Sequence, residues 1–187
     1  MRIKVTPKAI LIPTISLFLI CLVVTAALAL TNNVTADRIA ENEQKSKNLS
    51  MKNVCPEAQT FDELIPDTLY EGKNEGGEVV GYAISTATQG YGGQVKVMTG
   101  IADGKIIGVD VFYNDDETPG LGKNTSNASF TDQYKGLTTD SAVSVSKDST
   151  DGQTVDAVTS ATISSRAVTK AVNEALTIYN ENIKEGE

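Results

Sequence analysis

Hydrophobic and polar positions follow three successive patterns along this chain. The first is a continuous apolar run. No residue from Ala9 to Ala36 carries a charge, and Ala9–Leu30 ("AILIPTISLFLICLVVTAALAL") is mostly apolar. A helix of that length covers the ~30 Å of a bilayer's hydrocarbon, which takes ~20 residues. Pro13 falls near its start, where a helix tolerates proline best. The second pattern, Thr31–Met51 ("TNNVTADRIAENEQKSKNLSM"), is polar and reads as a juxtamembrane helix or spacer.

The third pattern is that of a folded domain. Asn53–Leu69 carries Pro56, Pro66 and a short apolar set (Phe61, Leu64, Ile65), which predicts a short helix or turn. The period then becomes two. Val80, Tyr82, Ile84 and Thr86 alternate in one run, Val95, Val97 and Thr99 in a second, and "GKIIGVDVFYND" forms a third. Asp103-Gly104 separates the second run from the third, a strong hairpin signal. Residues 78–113 are thus expected to form a three-stranded antiparallel meander. Ser126–Lys135 reads as a short helix, and "AVSVSK" and "TVDAV" as short strands. Near the C-terminus Val168, Val172, Ala175, Leu176 and Tyr179 fall on one face of an amphipathic helix. The expected fold class is α+β, an antiparallel β-sheet with flanking helices, preceded by one N-terminal transmembrane helix.

Charge orients this scheme. Arg2, Lys4 and Lys8 precede the apolar run, and all 24 acidic residues follow it. The positive-inside rule predicts a cytoplasmic N-terminus (1–8), a transmembrane helix (9–30), a spacer (31–52) and an extracytoplasmic domain (53–187) in the cell membrane. Ala27-Leu28-Ala29 leaves a cleaved signal peptide as the rival, although the run exceeds the ~7–15 apolar residues of a typical signal core. Leu19 and Ile20 are too bulky for lipoprotein cleavage before Cys21. The net charge of −8 argues against nucleic acid as a partner.

Composition narrows the chemistry. The chain has no histidine, which removes a Ser-His-Asp triad, a Cys-His dyad, His-ligated zinc and His-ligated haem. Its two cysteines, Cys21 and Cys55, form no motif and cannot build a four-cysteine metal site. No metal ligand set is evident. Chemistry must therefore come from carboxylates, hydroxyls, lysines or a bound cofactor.

Three stretches could carry it. Gly90-Tyr91-Gly92-Gly93 is either a glycine-rich turn or a place where backbone approaches a ligand closely; no Gly-Lys-Ser/Thr follows to make it a phosphate loop. Glu117-Thr118-Pro119-Gly120-Leu121-Gly122 is either an ordinary Pro-Gly turn or a rigid loop that can lie against a flat ring. "DAVTSATISSRAV" (Asp156–Val168) places Thr159, Ser160 and Thr162 at a helix start. There a hydroxyl can cap the helix, or the free amides can hold a phosphate.

The last stretch resembles the attachment motif of the bacterial FMN-binding domain family, Asp-x-x-Ser/Thr-Gly/Ser-Ala-Thr/Ser. Asp156, Thr159, Ser160, Ala161 and Thr162 match it; Ser160 stands where glycine is commoner. The loop Glu117–Gly122 is similar to a hallmark of the same family. It occurs in the G subunits of Rnf electron-transport complexes and the C subunits of sodium-pumping quinone reductases, and the shorter length here favours the former. The resemblance spans nearly the whole chain. It implies FMN joined as a phosphoester to Thr162, delivered from FAD by a separate Mg-dependent flavin transferase. It also implies flavin contacts at Glu117, Thr118, Pro119, Gly120, Leu121 and Gly122, with Tyr91, Gly92 and Gly93 as a second wall. The implied role is a relay between other Rnf subunits in ferredoxin:NAD oxidoreduction coupled to Na⁺ or H⁺ translocation. A quinone reductase or another extracytoplasmic electron-transfer chain is the alternative.

Overall fold

A computed structural model describes residues 7–149 and 151–184. Arg2 and Lys4 of the basic cluster lie outside them. The chain divides into two compact units, Met1–Glu43 and Gln44–Glu187.

The described residues of the first unit are helical and belong to α1 (Pro7–Val54), whose last residues, from Gln44, belong to the second unit. Pro13 lies inside the helix rather than in its first turn. Large apolar side chains from Ile10 to Leu30 are exposed all round, for example Ile12 at 65% and Leu30 at 68%. An apolar helix without protein cover needs lipid, and this is the one described helix long and apolar enough to cross a membrane.

The second unit is built on a five-stranded antiparallel sheet in sequential order. Its strands are β1 (Thr60–Ile65), β2 (Leu69–Lys73), β3 (Val79–Gln89), β4 (Gln94–Ala102) and β5 (Lys105–Tyr113). The expected three-stranded meander is thus extended by two strands, and Thr60–Ile65 is not helix or turn. Strand β1 lies at the sheet edge with most side chains exposed, so pairing with β2 defines it rather than a buried alternation. The β4–β5 turn is the expected one. Asp103 (φ 50°) and Gly104 (φ 68°) are both left-handed, as a type I′ hairpin demands. One irregularity follows the turn. Gly100 pairs with Gly108 but Ile101 pairs with Ile106. The extra residue, Ile107, lets Ile106 and Val109 face the same core.

Each sheet face is covered by one helix. Helix α3 (Thr162–Asn182) packs Val168, Val172, Ala175, Leu176 and Tyr179 against Ile84, Val95, Val97 and Ile101. The end of α1 packs Met51 and Val54 against Ala83 and Met98 on the opposite face. Gly100 and Gly108 permit that approach. A Cβ on Gly100 would lie 2.5 Å from the carbonyl oxygen of Val54, and one on Gly108 3.0 Å from its Cα.

Polar tethers fix the position of α3. Thr86 and Thr88 donate from β3 to the carbonyls of Ala171 (3.0 Å) and Ala167 (2.8 Å), which satisfies both buried hydroxyls. The Tyr134 hydroxyl bonds Thr169 (2.8 Å), and burial pushes that phenol's pKa up. Tyr134 follows the short helix α2 (Ala128–Thr131), which is flanked by 3-10 turns at Gly122–Ser126 and Asp132–Tyr134. Two short parallel strands, β6 (Val143–Val145) and β7 (Gln153–Val155), finish the unit. Asn173 of α3 bonds both the amide and the carbonyl of Val143 (2.8 Å each), which docks β6 on the helix.

Candidate cofactor site

The start of α3 is not capped by any side chain. Thr159 and Ser160 precede the helix, Ala161 occupies the cap position, and Thr162 is the first helical residue. Two other hydroxyl contacts staple this turn. Ser165 Oγ donates to the carbonyl of Ala161 (2.9 Å) and accepts from the amide of Val158 (3.0 Å). Ser165 is also the first amide of the helical ladder, bonding Ala161 (2.9 Å). The amides of Thr162, Ile163 and Ser164 come before that ladder and keep their donors. Ser160 has φ of 62°, in the left-handed region. Glycine reaches that region without strain, which accounts for its frequency at this motif position.

These amides border a half-open cleft of about 630 Å³, lined by Tyr91, Glu117, Thr118, Leu121, Gly122 and Ser160–Ser164. Its size is that of an ordinary small-molecule site, ~300–1,000 Å³. Three elements converge here: the β3–β4 turn, the loop after β5 and the first turn of α3. Glu117 locks them together. It is 2% exposed, and its carboxylate accepts from the amides of Tyr91 (2.7 Å) and Gly92 (3.2 Å) and from the Ser164 hydroxyl (2.6 Å). A buried carboxyl that accepts from several donors is a stable arrangement; stripped of them it is costly.

The glycines make room for this lock. A Cβ at Gly90 or Gly122 would fall 2.1 or 2.0 Å from a Glu117 oxygen. One at Gly92 would sit 1.9 Å from the carbonyl oxygen of Asp116, and one at Gly93 2.5 Å from its side chain. Gly92 and Gly93 thus stand against Asp116 instead of lining the cleft. Thr118-Pro119-Gly120-Leu121 is a tight turn, closed by the Leu121 amide on the Thr118 carbonyl (3.1 Å), with Gly120 at φ 77°. Thr118 and Leu121 reach the cleft and Pro119 does not.

Asp156, Thr159 and Gly120 line a second, more polar cavity beside the first, with Asn124, Asn127 and Gln133. Gln133 brackets the Asp156 backbone, accepting from its amide (2.7 Å) and donating to its carbonyl (3.2 Å). The Asp156 carboxylate accepts from Ser146 (2.7 Å). That serine opens a loop after β6. Lys147 in this loop donates to Thr162 Oγ (3.3 Å), and Asp148 pairs with Arg166 of α3 (Nε to Oδ2, 2.8 Å). The Arg166 hydrogen bond holds the Asp148 carboxyl below its usual range. Ile163, Ser164 and Lys147 escaped sequence reading. Ile163 and Ser164 continue the motif on the cleft side of the helix. Lys147 has no local signal, because a fold contact alone brings it to Thr162.

Apolar surface from Tyr91, Leu121 and Ile163 beside an uncapped helix start and a lysine suits a ligand with a flat ring and a phosphate. The fold is that of an FMN-binding domain: residues 90–177 match the model of the FMN-binding domain family. Residues 1–54 match the RnfG N-terminal region. The chain is 35% identical to the G subunit of the Na⁺-translocating ferredoxin:NAD⁺ oxidoreductase complex of Acetobacterium woodii, over 95% of both chains. It is 30% identical to the G subunit of the proton-translocating complex of Clostridium ljungdahlii, over 87% of this chain and 88% of that one. The chain belongs to this family of G subunits. Among solved structures it is similar to the C subunit of the Na⁺-translocating NADH-quinone reductase of Parabacteroides distasonis, with TM-score 0.50 and 26% identity over 59% of each chain.

Proposed function

We propose that this chain is a membrane-anchored electron-transfer protein that bears FMN as a phosphoester on Thr162. It serves as a relay in ferredoxin:NAD oxidoreduction coupled to ion translocation. The observation that carries the reading is the start of α3. Thr162 sits on the cleft wall with its hydroxyl free of capping duty, beside amides that precede the helical ladder. A phosphate there is held by those donors and by the helix dipole. Tyr91, Leu121 and Ile163 give the ring apolar surface, and Thr118 and Ser160 frame its polar edge. Glu117 stays committed to Tyr91, Gly92 and Ser164, so it shapes the cleft more than it meets the ligand. When bound, the flavin supplies the redox chemistry.

A threonine hydroxyl is a weak nucleophile and needs activation, and no general base contacts Thr162 among the described residues. That suits attachment by a separate Mg-dependent transferase using FAD. The two relatives are named for different ions, Na⁺ in one and H⁺ in the other. Choice of ion belongs to other members of the complex, since Cys21 is the one ionisable side chain between Lys8 and Asp37. The basic N-terminus supports an orientation with the domain outside the cytoplasm.

Co-expression with a flavin transferase tests the reading. Intact mass should increase by FMN less one water, and in-gel flavin fluorescence should accompany it. Thr162→Val should abolish both while circular dichroism stays unchanged. Wild-type protein without the added mass would sink the phosphoester.

A further inference from the structure

We propose that Lys147 is the cation that orients Thr162 for flavin attachment and then faces the resulting phosphoester, and that Asp156 positions it through Ser146. The inference rests on the reading that Thr162 is the attachment point.

Three observations converge. First, Lys147 Nζ lies 3.3 Å from Thr162 Oγ, the atom that would react. Second, the loop bearing it is held on both sides. Ser146 is bonded to Asp156 (2.7 Å), and Asp148 to Arg166 (2.8 Å). Third, those two contacts occupy the carboxylates nearest to Lys147 in sequence and on the motif. Among the described residues Lys147 has no ion-pair partner, so its ammonium remains available to Thr162. A chain of net charge −8, with Glu117 in the same cleft, gives an incoming phosphate few other cations.

The chemistry limits what Lys147 can do. In the transfer, Thr162 Oγ bonds to the FMN-side phosphorus of FAD. The bond from that phosphorus to the bridging oxygen breaks, AMP leaves with the electron pair, and the hydroxyl proton departs to a base. An ammonium donates and cannot accept, so that base belongs to the transferase. Lys147 instead fixes the Thr162 hydroxyl by engaging one Oγ lone pair, which leaves the other for the phosphorus, and offsets charge on the non-bridging phosphoryl oxygens. Asp156 touches neither the hydroxyl nor the cleft. It acts at one remove, by keeping the Ser146–Lys147 segment against α3.

The test is the rate at which full-length protein in detergent acquires covalent flavin from FAD, Mg²⁺ and purified transferase, followed by intact mass and gel fluorescence. Lys147→Met should slow loading ~10–100-fold, as for loss of one charge-assisted donor to developing charge, with an unchanged melting temperature. Lys147→Arg should restore most of the rate. Asp156→Ala should also slow loading, Asp156→Asn should keep the Ser146 bond and much of the rate, and Asp156→Ala should add less than about twofold on a Lys147→Met background. Wild-type loading of Lys147→Met would overturn the role of Lys147. A full, multiplicative loss from Asp156→Ala on that background would overturn the route through Ser146. If wild type gains no mass, or Thr162→Val still does, the attachment reading itself fails.

Discussion

Ser160 and Glu117 show how single residues set this site. Ser160 pays for its left-handed backbone, φ 62°, with a side chain that caps nothing. Ser160→Gly should stabilise the domain by up to about 1 kcal/mol in chemical denaturation; destabilisation would mean that the hydroxyl has a partner in the loaded protein. Glu117 does the opposite kind of work, since three donors depend on it. Glu117→Ala should cost about 2–3 kcal/mol and impair flavin loading, because two amides and a hydroxyl lose their acceptor. Equal stability to wild type would refute the lock. Cys55 offers a pH test. Its thiol is buried, and desolvation pushes its pKa up to about 12. The folded state therefore holds the proton that the unfolded chain releases near pH 9. Its contribution to stability is intact below that value and is lost progressively as pH rises from about 9 to about 12. Cys55→Ala should flatten this alkaline fall in urea midpoint; an unchanged slope would assign the fall to other groups.

At the scale of elements, strong local signals were legible and weak ones were not. Asp103-Gly104 announced its turn because two left-handed residues are needed there. Helix α3 announced its buried face because its apolar residues recur with the helical period and form a single stripe. β1 gave no such sign: "TFDELI" buries little, and the partner strand supplies its order. Sequence left Gly92 and Gly93 either as turn glycines or as a close backbone approach to a ligand; in the structure they accommodate Asp116 of the neighbouring loop. Gly100 and Gly108 carry no signal in the sequence, although their paired absence of side chains seats the end of α1 on the sheet. Gly100→Ala should destabilise by about 1–3 kcal/mol through overpacking against Val54, measurable as a lower urea midpoint; a neutral result would mean that α1 shifts freely.

Over the whole molecule, the division at Gln44 matters more than the end of the polar stretch. Met51 and Val54 belong to the core of the second unit, and Lys47 bonds Asp67 (2.9 Å). A fragment beginning at Gln44 should fold cooperatively. One beginning at Cys55 should lose about 3–6 kcal/mol, since each of the two buried apolar side chains contributes ~1.5–3 kcal/mol. Equal melting temperatures for the two fragments would contradict the packing role of the end of α1.

The sequence by itself determined the membrane helix, the α+β class, the C-terminal helix and the chemical candidates at Thr162. Each depends on local periodicity, on composition or on a short motif. Tertiary structure alone decided that none of the three hydroxyls caps α3, that the two glycine-bearing loops interlock around Asp116 and Glu117, and that Lys147 meets Thr162. The last two join residues 15 to 47 positions apart, and only the packing of sheet against helix brings them within hydrogen-bonding distance.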